Sequence, residues 1–205
     1  MDSLIYFDSG NRGGNNSDSK ELGISKRLVS VPIGHHYLIL YSNIGIARKV
    51  YSAYIKAQLD IQPESVILML PYYDTSDKVR EILESEGVDV KGNEEEGKLI
   101  IVDIEKVINN SYYEVSEVER LRAFTKHVQE EHPAKTIFVV ADMSTFNHTK
   151  KRRELLDYER NLHKDLKVEK WKELCFYHEN DFKTMFTKEQ ANELLEYHKD
   201  RVITV

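Results

Sequence analysis

Few stretches of this sequence carry residue types that do chemistry, and the richest is Cys175-Phe176-Tyr177-His178. A thiol and an imidazole three residues apart, with His198 further along, are soft and nitrogen donors of the kind zinc accepts. On one strand, however, residues 175 and 178 project from opposite faces, so the spacing opposes a shared ion and favours a core cysteine. Covalent catalysis by Cys175 would need a neighbouring base and an oxyanion site, and a mid-strand thiol is poorly exposed for attack. No Gly-x-Ser-x-Gly elbow, dinucleotide-binding glycine loop or His-Glu-x-x-His pair occurs. No catalytic residue, metal or cofactor is therefore expected.

Phosphate chemistry has half of its parts. TIFVVAD has the form of an apolar strand ending in an acid, which places Asp142 where a magnesium-binding aspartate would stand. The same pattern also describes an ordinary helix cap or loop acid. The partner motif would be Gly-x-x-x-x-Gly-Lys-Ser/Thr, whose backbone N–H groups cradle phosphates. The segment YSNIGIARKV keeps only Gly45 of it, leaving Arg48 or Lys49 as the cations that could meet an anion. Hydrolysis of ATP is not expected, and the sequence leans away from an enzyme.

Other candidates are less specific. Glu159 lies between Tyr158 and Leu162 on a helix, where an acid on a partly apolar face is paired, hydrated or protonated, or else simply exposed. Of His35 and His36 at most one can face a pocket beside the first strand, because side chains alternate. Tyr41, Tyr72, Tyr73, Tyr112 and Tyr113 could line a mixed apolar and polar pocket at the loop ends. The pairs at 72–73 and 112–113 equally suit an interface between copies of the chain.

The elements that must position these residues alternate short apolar runs with amphipathic segments, the signature of βα units around a largely parallel sheet. Strands are predicted at His36 to Tyr41, Ser65 to Pro71, Lys98 to Ile104, Thr136 to Ala141, Lys172 to Tyr177 and Arg201 to Val205. Most are near-continuous apolar runs, as strands covered on both faces require. Helices are predicted from the spacing of Ile46, Val50, Ala53, Tyr54 and Ala57, and of Val79, Ile82 and Leu83, with Gly87 as a C-terminal cap. A third begins at Ser116, with Glu119 completing a capping box, and ends at His132 and Pro133. A fourth runs from Thr149 to Leu166 and the last from Thr187 to His198, where Thr187 and Gln190 repeat the capping-box spacing.

At 205 residues the chain fits one domain. Residues 1–27, rich in Gly, Asn, Ser and Asp over 7–20, are expected to be a flexible tail, and 28–205 a single α/β domain. One cysteine excludes an internal disulfide framework. No run approaches the roughly 18 apolar residues of a membrane span, so a cytoplasmic protein without a membrane partner is expected. A net charge of −6 argues against a nucleic-acid surface. The one basic run, Lys150, Lys151, Arg152 and Arg153, reads as a solvated face or a contact for an anionic partner.

Four segments together resemble the MEDS family, the sensory domain of DcmR-type regulators from methylotrophs and methanogens. GHHYLILY stands in the place of the family's opening histidine and strand, and ESEGVDV with EGKLIIVD is similar to its glycine, valine-aspartate and glycine-leucine stretch. VVADM looks like its strand ending in glycine-glutamate-methionine, with Ala141 and Asp142 replacing Gly and Glu. LLDYERNL and ELCFYH resemble its leucine-glutamate and leucine-cysteine-x-tyrosine pair, with His198 in a terminal helix.

The resemblance covers residues 33–204 and implies a three-layer αβα sandwich of the RecA/KaiC type without a phosphate loop. It implies signal sensing and transcription regulation in an archaeal or bacterial cell, with small hydrocarbon derivatives as ligands. Carried over residue by residue, it points to Asp142, Glu159, Cys175, Tyr177 and His198, with His35 or His36, as a ligand site. With Tyr41 they are expected to lie at the carboxyl ends of the strands, where open α/β sheets bind ligands. Family members often carry a DNA-binding or kinase module. None is legible in these 205 residues, so a regulatory protein partner is expected to carry the output. Two rival readings are a divergent RecA-like nucleotide-binding enzyme, using Asp142 for magnesium and Arg48 or Lys49 for phosphate, and an oligomerising scaffold.

Overall fold

This computed structural model describes residues 23–24, 26–109, 115–147, 152–166, 171–198 and 201–205, without the side chains of 152 and 163–166. Tyr112, Tyr113, Lys150, Lys151 and most of the expected tail lie outside the described residues.

Six apolar runs form one parallel sheet: β1 (His36–Tyr41), β2 (Val66–Leu70), β3 (Leu99–Ile101), β4 (Ile137–Asp142), β5 (Trp171–His178) and β6 (Val202–Thr204). Their order across the sheet is β3-β2-β4-β5-β1-β6. Every residue of β2 and β4 is buried, which is why these strands are apolar without alternation.

Strand parity divides the core in two. Leu38, Val139, Ala141, Cys175 and Tyr177 face one side. Ile39, Tyr41, Phe138, Val140 and Phe176 face the other. Helices α1 (Ile44–Ile61) and α2 (Ser76–Ser85), with the short α3 (Val90–Glu95), pack on the second side through Tyr54, Val79 and Val90. The first side is covered by α4 (Ile104–Ile108), α5 (Glu117–Glu131), α6 (Arg152–Leu166), α7 (Glu179–Met185) and α8 (Lys188–His198). The fold is thus the expected αβα sandwich.

Local signals explain the ends of these elements. Asn43 caps α1 by accepting from Gly45 N at 2.7 Å, and a Cβ on Gly45 would sit 3.0 Å from that oxygen. Gly87 has φ +80° just past α2, the left-handed cap its position predicted. Ser116 accepts from Glu119 N, and Thr187 and Gln190 exchange both bonds of a capping box. The strand expected over 98–104 is shorter, because Asp103 turns to cap α2. Its carboxylate accepts from Ser76 N and Ser76 Oγ at 2.6 Å each, and the chain enters α4 directly.

The packed part of the chain reaches ahead of residue 28: Ile24 and Leu28 join the core of the second side, and Val31 is buried. This segment is anchored by Lys172 on β5, a buried ammonium that donates to Leu28 O, Val29 O and Val31 O at 3.2–3.4 Å. Among the described residues no helix is long and apolar enough to cross a membrane.

Candidate functional site

On the first side of the sheet, register brings six strand residues into two short rows. His36 pairs with Glu173, Leu38 with Cys175 and Leu40 with Tyr177, and partners in a parallel pair point the same way. Helix α6 lies over these rows with Leu155, Leu156, Tyr158, Glu159 and Leu162 turned inward at helical spacing. Helix α8 supplies Leu194 and His198, one turn apart. Arg160 of α6 meets Glu193 of α8 at 2.6 Å and fixes the two helices together.

The result is a buried polar cluster centred on Glu159. Its Oε1 accepts a hydrogen bond from the Tyr177 hydroxyl. Its Oε2 lies 3.5 Å from His36 Nε2 and 3.7 Å from His198 Nε2. The imidazoles of His36 and His198 meet edge to face with centroids 4.4 Å apart. Since a carbonyl only accepts, the 2.7 Å contact from His198 Nδ1 to Leu194 O puts the proton on Nδ1 and leaves the Nε2 lone pair toward Glu159. Next to this group, Glu173 receives the Tyr158 hydroxyl at 3.1 Å and the Cys175 thiol at 3.7 Å.

The cluster sorts its protons by environment. Burial would raise the Glu159 carboxyl, but the two imidazoles and the Tyr177 hydroxyl outweigh it, so Glu159 is held below the usual carboxylate range and ionised. Burial, and then the Glu159 charge, push Glu173 up to about 8, which keeps it neutral. Burial drives His198 down to about 4 and so keeps it neutral. Burial and the adjacent acids push the Cys175 thiol far up, so it is a packed thiol and not a thiolate nucleophile. Three donor atoms of His36, Glu159 and His198 lie within 4.8 Å of one another.

On the opposite face, at the strand ends where a phosphate loop would lie, tyrosines fill the space. The Tyr41 hydroxyl reaches across β5 to donate to Asp142 Oδ2 at 2.9 Å, and Ser144 N donates to Asp142 Oδ1 at 3.1 Å. Burial lifts Asp142 to about 6 against the pull of those donors. Arg48, a candidate for phosphate, is held by Asp74 through Nε at 3.0 Å and a second nitrogen. Between Tyr41, Tyr51, Tyr72, Tyr73 and Asp142 about 20 Å³ remains.

The eight expected site residues therefore do not form one site. His36, Glu159, Cys175, Tyr177 and His198 come together on the first side, and Tyr41 with Asp142 on the second. Convergence of Asp142 with Glu159 is overturned, because residue 142 shares parity with Phe138 and Val140 whereas α6 covers the other face. His35 precedes the strand, half-buried, with Nδ1 3.4 Å from Ile33 O. The Glu159 cluster also lies under α6 and α8 along β1 and β5, not beyond the carboxyl ends of the strands. Glu173, Tyr158 and Lys172 were not singled out, although residues 173, 175 and 177 share a strand face.

What does open at the carboxyl ends of β1 and β6 is a groove of about 480 Å³ between α7 and α8. Its walls are Leu40, Phe182, Phe186, Ala191 and Leu195, and Lys183 and Lys188 stand at it as cations. Phe182 and Phe186 pack edge-on against the Tyr177 ring, with centroids at 5.4 and 6.4 Å. Tyr177 thus touches the buried cluster through its hydroxyl and the lining of the groove through its ring, behind Phe182 and Phe186.

A parallel αβα sandwich with this strand order, here with tyrosines at the strand ends, has a RecA/KaiC-like fold. A KaiC-like protein from the hyperthermophilic archaeon Pyrococcus horikoshii superposes with a TM-score of 0.55 at 18% identity, over 80% of this chain and 68% of that one. The model of the MEDS family, the methanogen/methylotroph DcmR sensory domain, matches residues 35–199, and the chain belongs to that family. A search of curated proteins finds no match.

Proposed function

We propose that this sensory domain binds a small, mainly apolar molecule with an anionic or polar end in the groove between α7 and α8. Binding is passed to a regulatory partner protein in the cytoplasm. The observation that carries this reading is the contact of Phe182 and Phe186 with Tyr177, whose hydroxyl holds Glu159. A molecule that displaces either phenylalanine alters the packing of Tyr177, and through it the helices α6 and α8 that the cluster joins.

The groove lies in the size range of small-molecule sites and has apolar walls with few charges, the composition such sites share. Lys188 and Lys183 favour a carboxylate or similar head, although Lys183 also meets Glu179 at 3.2 Å. The nucleotide reading is disfavoured by the Arg48–Asp74 pair and by the tyrosines around Asp142.

The test uses hexanoate and 1-hexanol as probes, followed by backbone amide NMR shifts. Shifts are expected along α7, α8 and the end of β1, stronger for hexanoate, and Leu195→Trp should fill the groove and weaken binding at least tenfold. Shifts confined to the Tyr41–Asp142 end, or unchanged binding by folded Leu195→Trp, would refute the groove as the site.

A further inference from the structure

We propose that His36 Nε2, Glu159 Oε2 and His198 Nε2 form a binding site for a divalent transition-metal ion of the zinc class. The donors come from β1, α6 and α8, so the site joins the sheet to two helices. It is separate from the groove.

Spacing is the first argument. A buried imidazolium and carboxylate in direct contact close to about 2.7–2.9 Å. Here the carboxylate oxygen stands 3.5 Å from one imidazole nitrogen and 3.7 Å from the other. Metal–ligand bonds of about 2.0–2.1 Å at a tetrahedral angle separate donors by about 3.3 Å, and an octahedral face by about 3.0 Å. The observed spacing lies nearer the tetrahedral value, which is zinc's preference.

Donor direction is the second. The Nδ1–H of His198 is fixed on Leu194 O, so its Nε2 lone pair faces the carboxylate, the arrangement in which metal-binding histidines are commonly held. Tyr177 occupies Glu159 Oε1 and thereby turns Oε2 to the imidazoles. Glu159 Oε2 and His198 Nε2 are buried with no hydrogen-bond partner among the described residues, a costly arrangement for polar atoms unless something else engages them. Two imidazoles and one carboxylate give three protein ligands, one short of zinc's usual four, so a water or small donor would complete the set.

The experiment uses the full chain, stripped with a chelator and titrated with Co²⁺ and then Zn²⁺. One Co²⁺ per chain is expected, with the intense visible bands of a tetrahedral site, displaced by one equivalent of Zn²⁺. X-ray absorption on the zinc-loaded parent should give nitrogen and oxygen neighbours only, with two imidazoles. Glu159→Gln keeps an acceptor for Tyr177 and should weaken zinc at least tenfold, and His198→Ala at least a hundredfold. His127→Ala, which removes the exposed His127–Glu131 pair, should leave binding unchanged. A parent without stoichiometric uptake or without the tetrahedral spectrum overturns the proposal. So does undiminished binding in folded Glu159→Gln and His198→Ala, or loss of binding in His127→Ala.

Discussion

Tyr177 donates its hydroxyl to the Glu159 carboxylate beneath α6, while its ring packs against Phe182 and Phe186, which line the groove. One side chain therefore links the polar cluster to residues that line the groove. Removing only the hydroxyl should separate the two functions. Tyr177→Phe keeps the ring contacts with Phe182 and Phe186 and withdraws a donor from a buried, ionised carboxylate. The expected cost is about 1–3 kcal/mol in urea denaturation of chelator-treated protein. A midpoint equal to the parent's would mean that Glu159 does not depend on that bond.

Asp142 and Glu159 lie on opposite faces of the sheet and share no partner among the described residues. Their substitutions should therefore act independently. Asp142→Asn and Glu159→Gln are expected to be additive in denaturation free energy to within about 0.5 kcal/mol. A coupling above about 1 kcal/mol would show that the two acids communicate through the sheet.

The course of the main chain was legible because its cause is local. Continuous apolar runs mark β1, β2, β4 and β5, and the cap residues Asn43, Ser116 and Thr187 make the bonds that their types favour. Alternation also established that His35 and His36 could not both face a pocket. Which face a helix covers is not local. The β4–β5 register sets Asp142 and Glu173 on opposite sides of the sheet, and nothing in a strand's own sequence gives that register or says which side α6 will occupy. The groove is harder still, since it arises where α7 and α8 leave a space over Leu40, and α7 itself follows β5 without an intervening turn. Glu173 had a readable signal, a charged residue in phase with Cys175 and Tyr177 on a buried strand.

Glu173 supplies a pH dependence of definite sign. Its carboxyl is pushed up from 4.5 to about 8 by burial and then by the Glu159 charge. Between these values the folded chain holds a proton that the unfolded chain releases. The stabilisation is complete below about 4.5 and is lost as pH rises through about 8, with a slope approaching 1.4 kcal/mol per pH unit. Glu173→Gln is uncharged at every pH and should flatten this decline. Urea midpoints in chelator should match near pH 4.5, and the variant should be the more stable at pH 8.5. Parallel pH profiles for the two proteins would show Glu173 to be ionised in the fold.

Lys172 carries the opposite sign and anchors the chain ahead of β1. Burial pushes its ammonium down from 10.5 to about 8. Three carbonyls, at Leu28, Val29 and Val31, receive its protons, and the rings of Phe138 and Tyr54 lie 4.7 and 5.4 Å away. Between pH 8 and 10.5 the unfolded chain holds a proton that the folded chain has lost, so this residue makes stability rise across that window. Lys172→Met removes the cost of burying a charge, on the order of 3 kcal/mol for a shift of this size. It also strips three carbonyls of their donor, at about 1–3 kcal/mol for each that stays buried and unsatisfied. The second effect should win at pH 7, giving a variant less stable by about 1–3 kcal/mol, with the rise above pH 8 abolished. Hydrogen exchange should quicken first at residues 28–31, before the strands of the sheet open. If those amides stay as protected as in the parent, the carbonyl contacts do not hold the segment, and Lys172 serves only as packing between Tyr54 and Phe138.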